Sequence, residues 1–183
     1  MANDEAAEPV TAMRTLERLS KLTDARITAT SPQGRARVTL QGGRHSVELR
    51  PEGFQKLDPK LLAEEVTHAF NGTLRGHRQQ EQRILAEYRE VRPHQPKPRA
   101  EAEQERVNRA REAVSVKATS ASRLVRGTWS ATDGVSLKIA AVNDSHREQL
   151  ATEIAQVLNE LSAKFRTDMR EAVREARRQS RQG

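Results

Sequence analysis

LAEEVTHAFN, at Leu62–Asn71, decides the reading, because the chain writes it a second time as LATEIAQVLN at Leu150–Asn159. Leu62, Ala63, Glu65 and Asn71 recur unchanged as Leu150, Ala151, Glu153 and Asn159. Val66, Ala69 and Phe70 become Ile154, Val157 and Leu158, one apolar residue for another. In each copy the apolar positions fall at i, i+4, i+7 and i+8. That spacing is one face of an α-helix, so each copy predicts a helix with one buried side. A repeat longer than a helix pair changes the fold, so the residues ahead of each copy set its extent.

The same order of elements precedes both copies. RITAT (26–30), RARVTLQ (35–41) and RHSVELR (44–50) lie ahead of the first; VSVKAT (114–119), RLVRGTWS (123–130) and VSLKIA (135–140) lie ahead of the second. These runs mostly alternate apolar and polar residues, as half-buried strands do. Pro32-Gln33-Gly34, Gly42-Gly43 and Asp133-Gly134 separate them, and a Gly-Gly or Asp-Gly connection is a hairpin signal. The predicted fold class is α+β: two repeated α-β-β-β-α units, each a small antiparallel three-stranded sheet flanked by helices, with a long projecting C-terminal helix. The expected division is a first unit at 1–92, a proline-rich linker at 93–98 (PHQPKP) and a second unit at 99–183.

Composition bounds the function. The chain has 183 residues, 31% charged and 35% hydrophobic, so the cores are small and much helix surface is wet. Without cysteine there is no disulfide framework, thiol catalyst or thiolate metal site. The acidic start MANDEAAEPV is not a signal peptide, and no apolar run approaches the ~20 residues that span a bilayer. The expectation is a cytoplasmic protein. A net charge of +7 and a pI near 10.3 point to an anionic partner, nucleic acid first. Of 32 basic residues 25 are arginine, whose planar fork grips phosphate bidentately.

Along the chain, a first helix is expected from Pro9 to Asp24, with Met13, Leu16, Leu19 and Leu22 as its apolar stripe. In the first sheet Ile27, Ala29, Ala36, Val38, Leu40, Val47 and Leu49 take the inner face, leaving Arg26, Arg35, Arg37, Arg44 and Arg50 outside with only Glu48 opposing them. Asp58 caps the repeated helix and Pro59 takes its first position. Gly72 and Gly76, at i and i+4, would let a second helix approach. Val114, Val116, Val125, Trp129, Val135, Leu137 and Ile139 point inward in the second sheet, and Lys117, Arg126 and Lys138 outward. Ser145 caps the last helix, which is too long for its sheet to cover, so its distal half projects or pairs.

The region from Gly34 to Leu74 resembles the YbaB/EbfC family of small bacterial nucleoid-associated proteins. The residues that carry the likeness are the hairpin Gly42-Gly43, the strand-end Pro51, the helix start Leu61-Leu62 and Ala69-Phe70-Asn71. Residues 114–161 share it only through the internal repeat. The resemblance implies a homodimer that binds duplex DNA with little sequence preference. Family chains usually carry one unit; this chain carries two, which opens a pseudo-dimer within one chain.

No catalytic or phosphate-loop motif is present, so no enzyme, cofactor or metal is expected. Glu65-x-x-His68 has the spacing of half a di-iron site, but its counterpart is Glu153-x-x-Gln156, and a solvated helix face is the reading taken. Within 164–183 seven basic residues face three acids, Asp168, Glu171 and Glu175. Arg166, Arg170, Arg174, Arg177 and Arg181 step along one helix face, with Arg178 beside them. These six, with Arg26, Arg35, Arg37, Arg44 and Arg50 in support, are the candidate DNA-binding residues. They would bind phosphates of duplex DNA in the nucleoid. With five aromatic residues, single-strand stacking platforms are not expected. The other reading is a non-enzymatic adaptor or chaperone-like module whose long helices pair with a protein partner or with each other.

Overall fold

The alternating runs form strands, and the strands form two sheets of the same order. The computed structural model describes residues 20, 25–52, 54, 57–87 and 98–182, without the side chains of 85, 87, 98–100, 144, 181 and 182. β1 (Ile27–Thr30), β2 (Ala36–Gln41) and β3 (Arg44–Leu49) make one antiparallel meander; β4 (Ser115–Thr119), β5 (Val125–Ser130) and β6 (Gly134–Ile139) make the other. A long helix follows each sheet, α1 (Pro59–Glu87) after the first and α3 (Arg147–Gln182) after the second, while α2 (Pro98–Glu112) precedes the second sheet. The chain is therefore α+β. Of the helix expected at 9–24 only Ser20, helical and exposed, is among the described residues; linker residues 93–97 lie outside them, and Pro98 already belongs to α2.

Local chemistry sets the joints. Gly42 and Gly43 both have positive φ, 56° and 74°, and join Gln41 to its partner Arg44, the two-residue turn whose twist suits a hairpin. The β1–β2 and β4–β5 turns share one scheme. Ser31 Oγ accepts the Ala36 N–H at 3.0 Å, and Ser120 Oγ accepts the Val125 N–H at 3.1 Å. Gly34 N–H donates to Ser31 O and Arg123 N–H to Ser120 O, both at 2.9 Å. α1 begins at Pro59 as expected, Asp58 O accepting the Leu62 N–H at 3.0 Å. α3 begins two residues after Ser145, whose hydroxyl donates to Asn143 Oδ1 at 2.8 Å at a 3₁₀ turn (Asp144–His146).

Packing crosses between the halves. α1 lies on β1 and β2 of its own sheet and against β6 of the other; α3 lies on β4 and β5 and against β3. One core results, holding Ala36, Val38, Leu62, Val66 and Phe70 together with Val125, Leu137, Ile154, Val157 and Leu161. Each large apolar side chain fully buried there contributes about 1.5–3 kcal/mol. An aromatic chain runs through the junction: His45 to Phe70 (4.8 Å between centroids), Phe70 to Trp129 (5.6 Å, edge-on), Trp129 to Phe165 (4.3 Å, stacked). The β3 edge is closed by a side chain of α3. Asn159 Nδ2 donates to His45 O at 2.9 Å, and the His45 N–H donates to Asn159 Oδ1 at 2.7 Å.

Gly72 and Gly76 do not admit a second helix. A Cβ on Gly72 would stand 2.6 Å from Ala29 Cβ, and one on Gly76 2.7 Å from Ile27 Cγ2. The close neighbour is β1 of the same half, because α1 crosses its own sheet at that height.

Candidate nucleic-acid interface

α3 has 36 residues, about 54 Å at 1.5 Å rise per residue. Its first part buries Leu150, Ile154, Val157, Leu158 and Leu161. Beyond them Phe165, Met169, Val173 and Ala176 continue the apolar stripe onto α2, where Val107 is 3% exposed. The two helices run antiparallel: Arg177 Nε lies 4.0 Å from a Glu103 oxygen, while Arg111, near the other end of α2, shares a cleft with Met169. The distal half of α3 therefore pairs with α2 into an arm.

The arginine stripe flanks that seam. Arg166, Arg170, Arg174, Arg177 and Arg178 are all exposed. Arg170, Arg174, Arg177 and Arg178, together with Arg111 of α2, surround a cleft of about 930 Å³ floored by Met169 and Val173. Arg177 and Arg178 have carboxylate neighbours, Glu103 and Glu175. Among the described residues Arg111, Arg170 and Arg174 make no ion pair, so their guanidinium groups are open to an anion. Arg166 leans the other way. Its Nε donates to Ser162 O at 3.0 Å, and its Nη1 reaches the β2–β3 turn, 3.8 Å from where a Gly43 Cβ would stand. The stripe thus starts beside Arg44 of the opposite half and runs out along the arm. The side chain of Arg181 lies outside the described residues.

The arginines of the first sheet do not form one uniformly open patch. Arg26, Arg44 and Arg50 are exposed. Arg37 is held by Glu48 at 3.4 Å, and Arg35 is half-buried, with one terminal nitrogen enclosed and without a hydrogen-bond partner among the described residues. Strand parity sets a direction but says nothing about the cross-strand neutralisation of Arg37 or the depth of Arg35.

No family model, curated protein or solved structure matches this chain.

The sequence reading passed over two arginines. Arg111 was hidden in the charged α2, where acids are as frequent as bases. Arg78 of α1 lines a cleft of about 560 Å³ with Arg111, Trp129 and Phe165. It follows Asn71 by the interval that separates Arg166 from Asn159, so extending the aligned stretch by one more helical repeat would have found it. Elsewhere His68 is exposed but Glu65 is buried, so the solvated helix face expected for this pair fails at Glu65, which α1 turns towards the core side. Among the described residues no group of three His, Asp or Glu side chains is placed to hold a metal ion, and no helix is long and apolar enough to cross a membrane.

Proposed function

We propose that this chain is a nucleoid-associated protein of the YbaB/EbfC type that binds duplex DNA through phosphates with little sequence preference, and that its halves are repeats of one α-β-β-β-α unit paired within the chain. The observation that carries the DNA reading is the arm. Arg111, Arg170 and Arg174, without an ion pair among the described residues, meet on one cleft, on a chain of net charge +7. Matched strand order, the matched Ser31 and Ser120 turns and the reciprocal helix packing support the repeat.

Each neutralised phosphate contributes about −0.9 to the slope of log K against log salt. A variant with Arg111, Arg170, Arg174 and Arg177 changed to Gln is therefore expected to flatten that slope by up to about 3.6 units, equally for unrelated duplexes. Binding titrations over a range of salt measure this. An unchanged slope moves the site off the arm, and no binding at low salt rejects DNA.

One observation favours the adaptor reading. Between α1 and the edge of β6 lies a cleft of about 760 Å³ lined by Asp58, Glu64, His68, Asn71 and Val135–Ile139. Among the described residues Asn71 makes no clamp there like that of Asn159 on β3. An extended peptide adding to β6 would use that edge. Backbone amide shifts of β6 on addition of such a peptide, with no DNA binding, would establish it.

A further inference from the structure

The two sheets differ at one matched position on their outer faces. In the first, Arg37 stands directly opposite Glu48 and pairs with it at 3.4 Å. In the second, the same step of the ladder sets Arg126 directly opposite Lys138. Like charges directly opposite each other on a sheet face are destabilising. Lys117 of β4 adds a third cation, and the other exposed strand residues of this outward face are Ser115, Thr119, Thr128 and Ser136, with half-buried Ser130 beside Ser115. Ser130 aside, all seven are exposed and none is a carboxylate; at the β6 edge Ser136 and Lys138 also line the α1 cleft that holds Asp58 and Glu64. Among the described residues neither Lys117, Arg126 nor Lys138 makes an ion pair. Lysine, arginine, serine and threonine are the side chains that contact phosphate and sugar.

This face is turned away from α3. β4 and β5 meet the helix through their other side, where Val116, Ala118 and Val125 are buried, and Gly127 lies against Val157 and Leu161. Arg170, Arg174, Arg177 and Arg178 of the arm cleft lie on the part of α3 beyond Leu161, which packs against Gly127. DNA has a persistence length of about 50 nm, so one duplex lying on the arm does not fold back over the sheet at low cost.

We propose that the outer face of the second sheet is a second phosphate-binding surface, taking a second duplex while the arm holds the first, so that one chain bridges two DNA segments. This rests on the DNA reading of the arm. It also accounts for a like-charged cross-strand pair at a position where the first sheet has an ion pair.

The test captures a soluble labelled duplex on beads that carry an immobilised duplex, with the full chain added, alongside single-duplex affinity by fluorescence anisotropy. Three proteins are compared: wild type, the triple variant Lys117→Gln/Arg126→Gln/Lys138→Gln, and Lys138→Glu, which recreates the first sheet's pair. Wild type is expected to capture the second duplex. Both variants are expected to lose capture by on the order of tenfold, while single-duplex affinity changes little because the arm is untouched. Lys138→Glu is also expected to melt at or above the wild-type temperature, so its loss of capture is not unfolding. Wild-type binding without capture, or variants that capture as well as wild type, overturns the second surface and leaves the arm standing. No duplex binding at all rejects both.

Discussion

His45 carries an ionisable ring into the junction between the halves. It is 6% exposed, packs on Phe70, and neither ring nitrogen has a hydrogen-bond partner among the described residues. Burial pulls its pKa from 6.5 to about 4; the Asn159 amide opposes the fall, and Arg166 and His77 deepen it. The folded chain therefore keeps the ring neutral at pH values where the unfolded chain protonates it. Stability from this residue is complete above about pH 6.5 and drains away as the pH falls towards 4. Between about pH 7 and about pH 5 the loss is roughly 2 kcal/mol. Glu153 is held below the usual carboxylate range chiefly by the Ser122 hydroxyl, so its contribution too is lost as the pH falls. His45→Val installs the residue of the matched position, Val135. It is expected to lower stability at neutral pH through poorer packing but to remove most of the decline towards pH 5. Urea midpoints at the two pH values decide it, and an equal decline in wild type and variant would place the proton uptake elsewhere.

Gly127 shows how each helix is seated. A Cβ there would stand 2.6 Å from Leu161 Cδ1, 2.9 Å from Val157 Cγ1 and 3.0 Å from Leu137 Cδ2. The matched strand position in the first sheet holds Val38, and the matched positions of α1 hold the smaller Ala69 and Thr73. The volume sits on the helix in one half and on the strand in the other. Gly127→Ala is expected to cost about 1–3 kcal/mol by overpacking. Combined with Leu161→Ala, it should cost less than the sum of the two changes, with a coupling of about 1 kcal/mol. Strictly additive melts would contradict this seating. The strands and the start of α1 were legible because periods of 2 and 3.6 are written in apolar residues. His45 was not, because a polar residue on the inner face breaks the alternation that marks it. The β4–β5 turn was not either: it puts Arg123 at φ 64° where the first unit has Gly34, and no turn residue announces it. A glycine pair on a helix reports a close neighbour without saying which; the neighbour is β1, itself legible as a strand, and not a second helix. In the arm, spacing revealed the stripe on α3 but not Arg111, which reaches the cleft only through the packing of α2.

At the scale of the molecule, each helix completes the other half's sheet. α1 packs against β6, α3 packs against β3, and the Asn159 clamp and the aromatic chain cross the same junction. Periodicity shows which face is buried but not against what, so the sequence divided the chain at 93–98 without revealing that the core runs through both sides. If the halves are separated there, 1–92 loses the helix that closes β3, and 93–183 loses the one against β6. Apolar side chains that now reach 0% exposure, Phe70 and Leu161 among them, would meet water or a substitute partner. The substitute is another copy of the same half. In a pair of first halves, however, Leu40 replaces Trp129 and His77 replaces Phe165 at the matched positions, so the aromatic chain ends after Phe70. Breaking an aromatic pair costs about 0.5–1.5 kcal/mol beyond area burial. The two halves, made separately, are therefore expected to be poorly folded or weakly self-associated. On mixing they are expected to assemble one to one, with a single cooperative melt above that of either part. Sedimentation and thermal melts of the parts and the mixture measure this. A stable monomeric fold for either half, with no gain on mixing, would show two independent domains and remove the shared core from the account of stability.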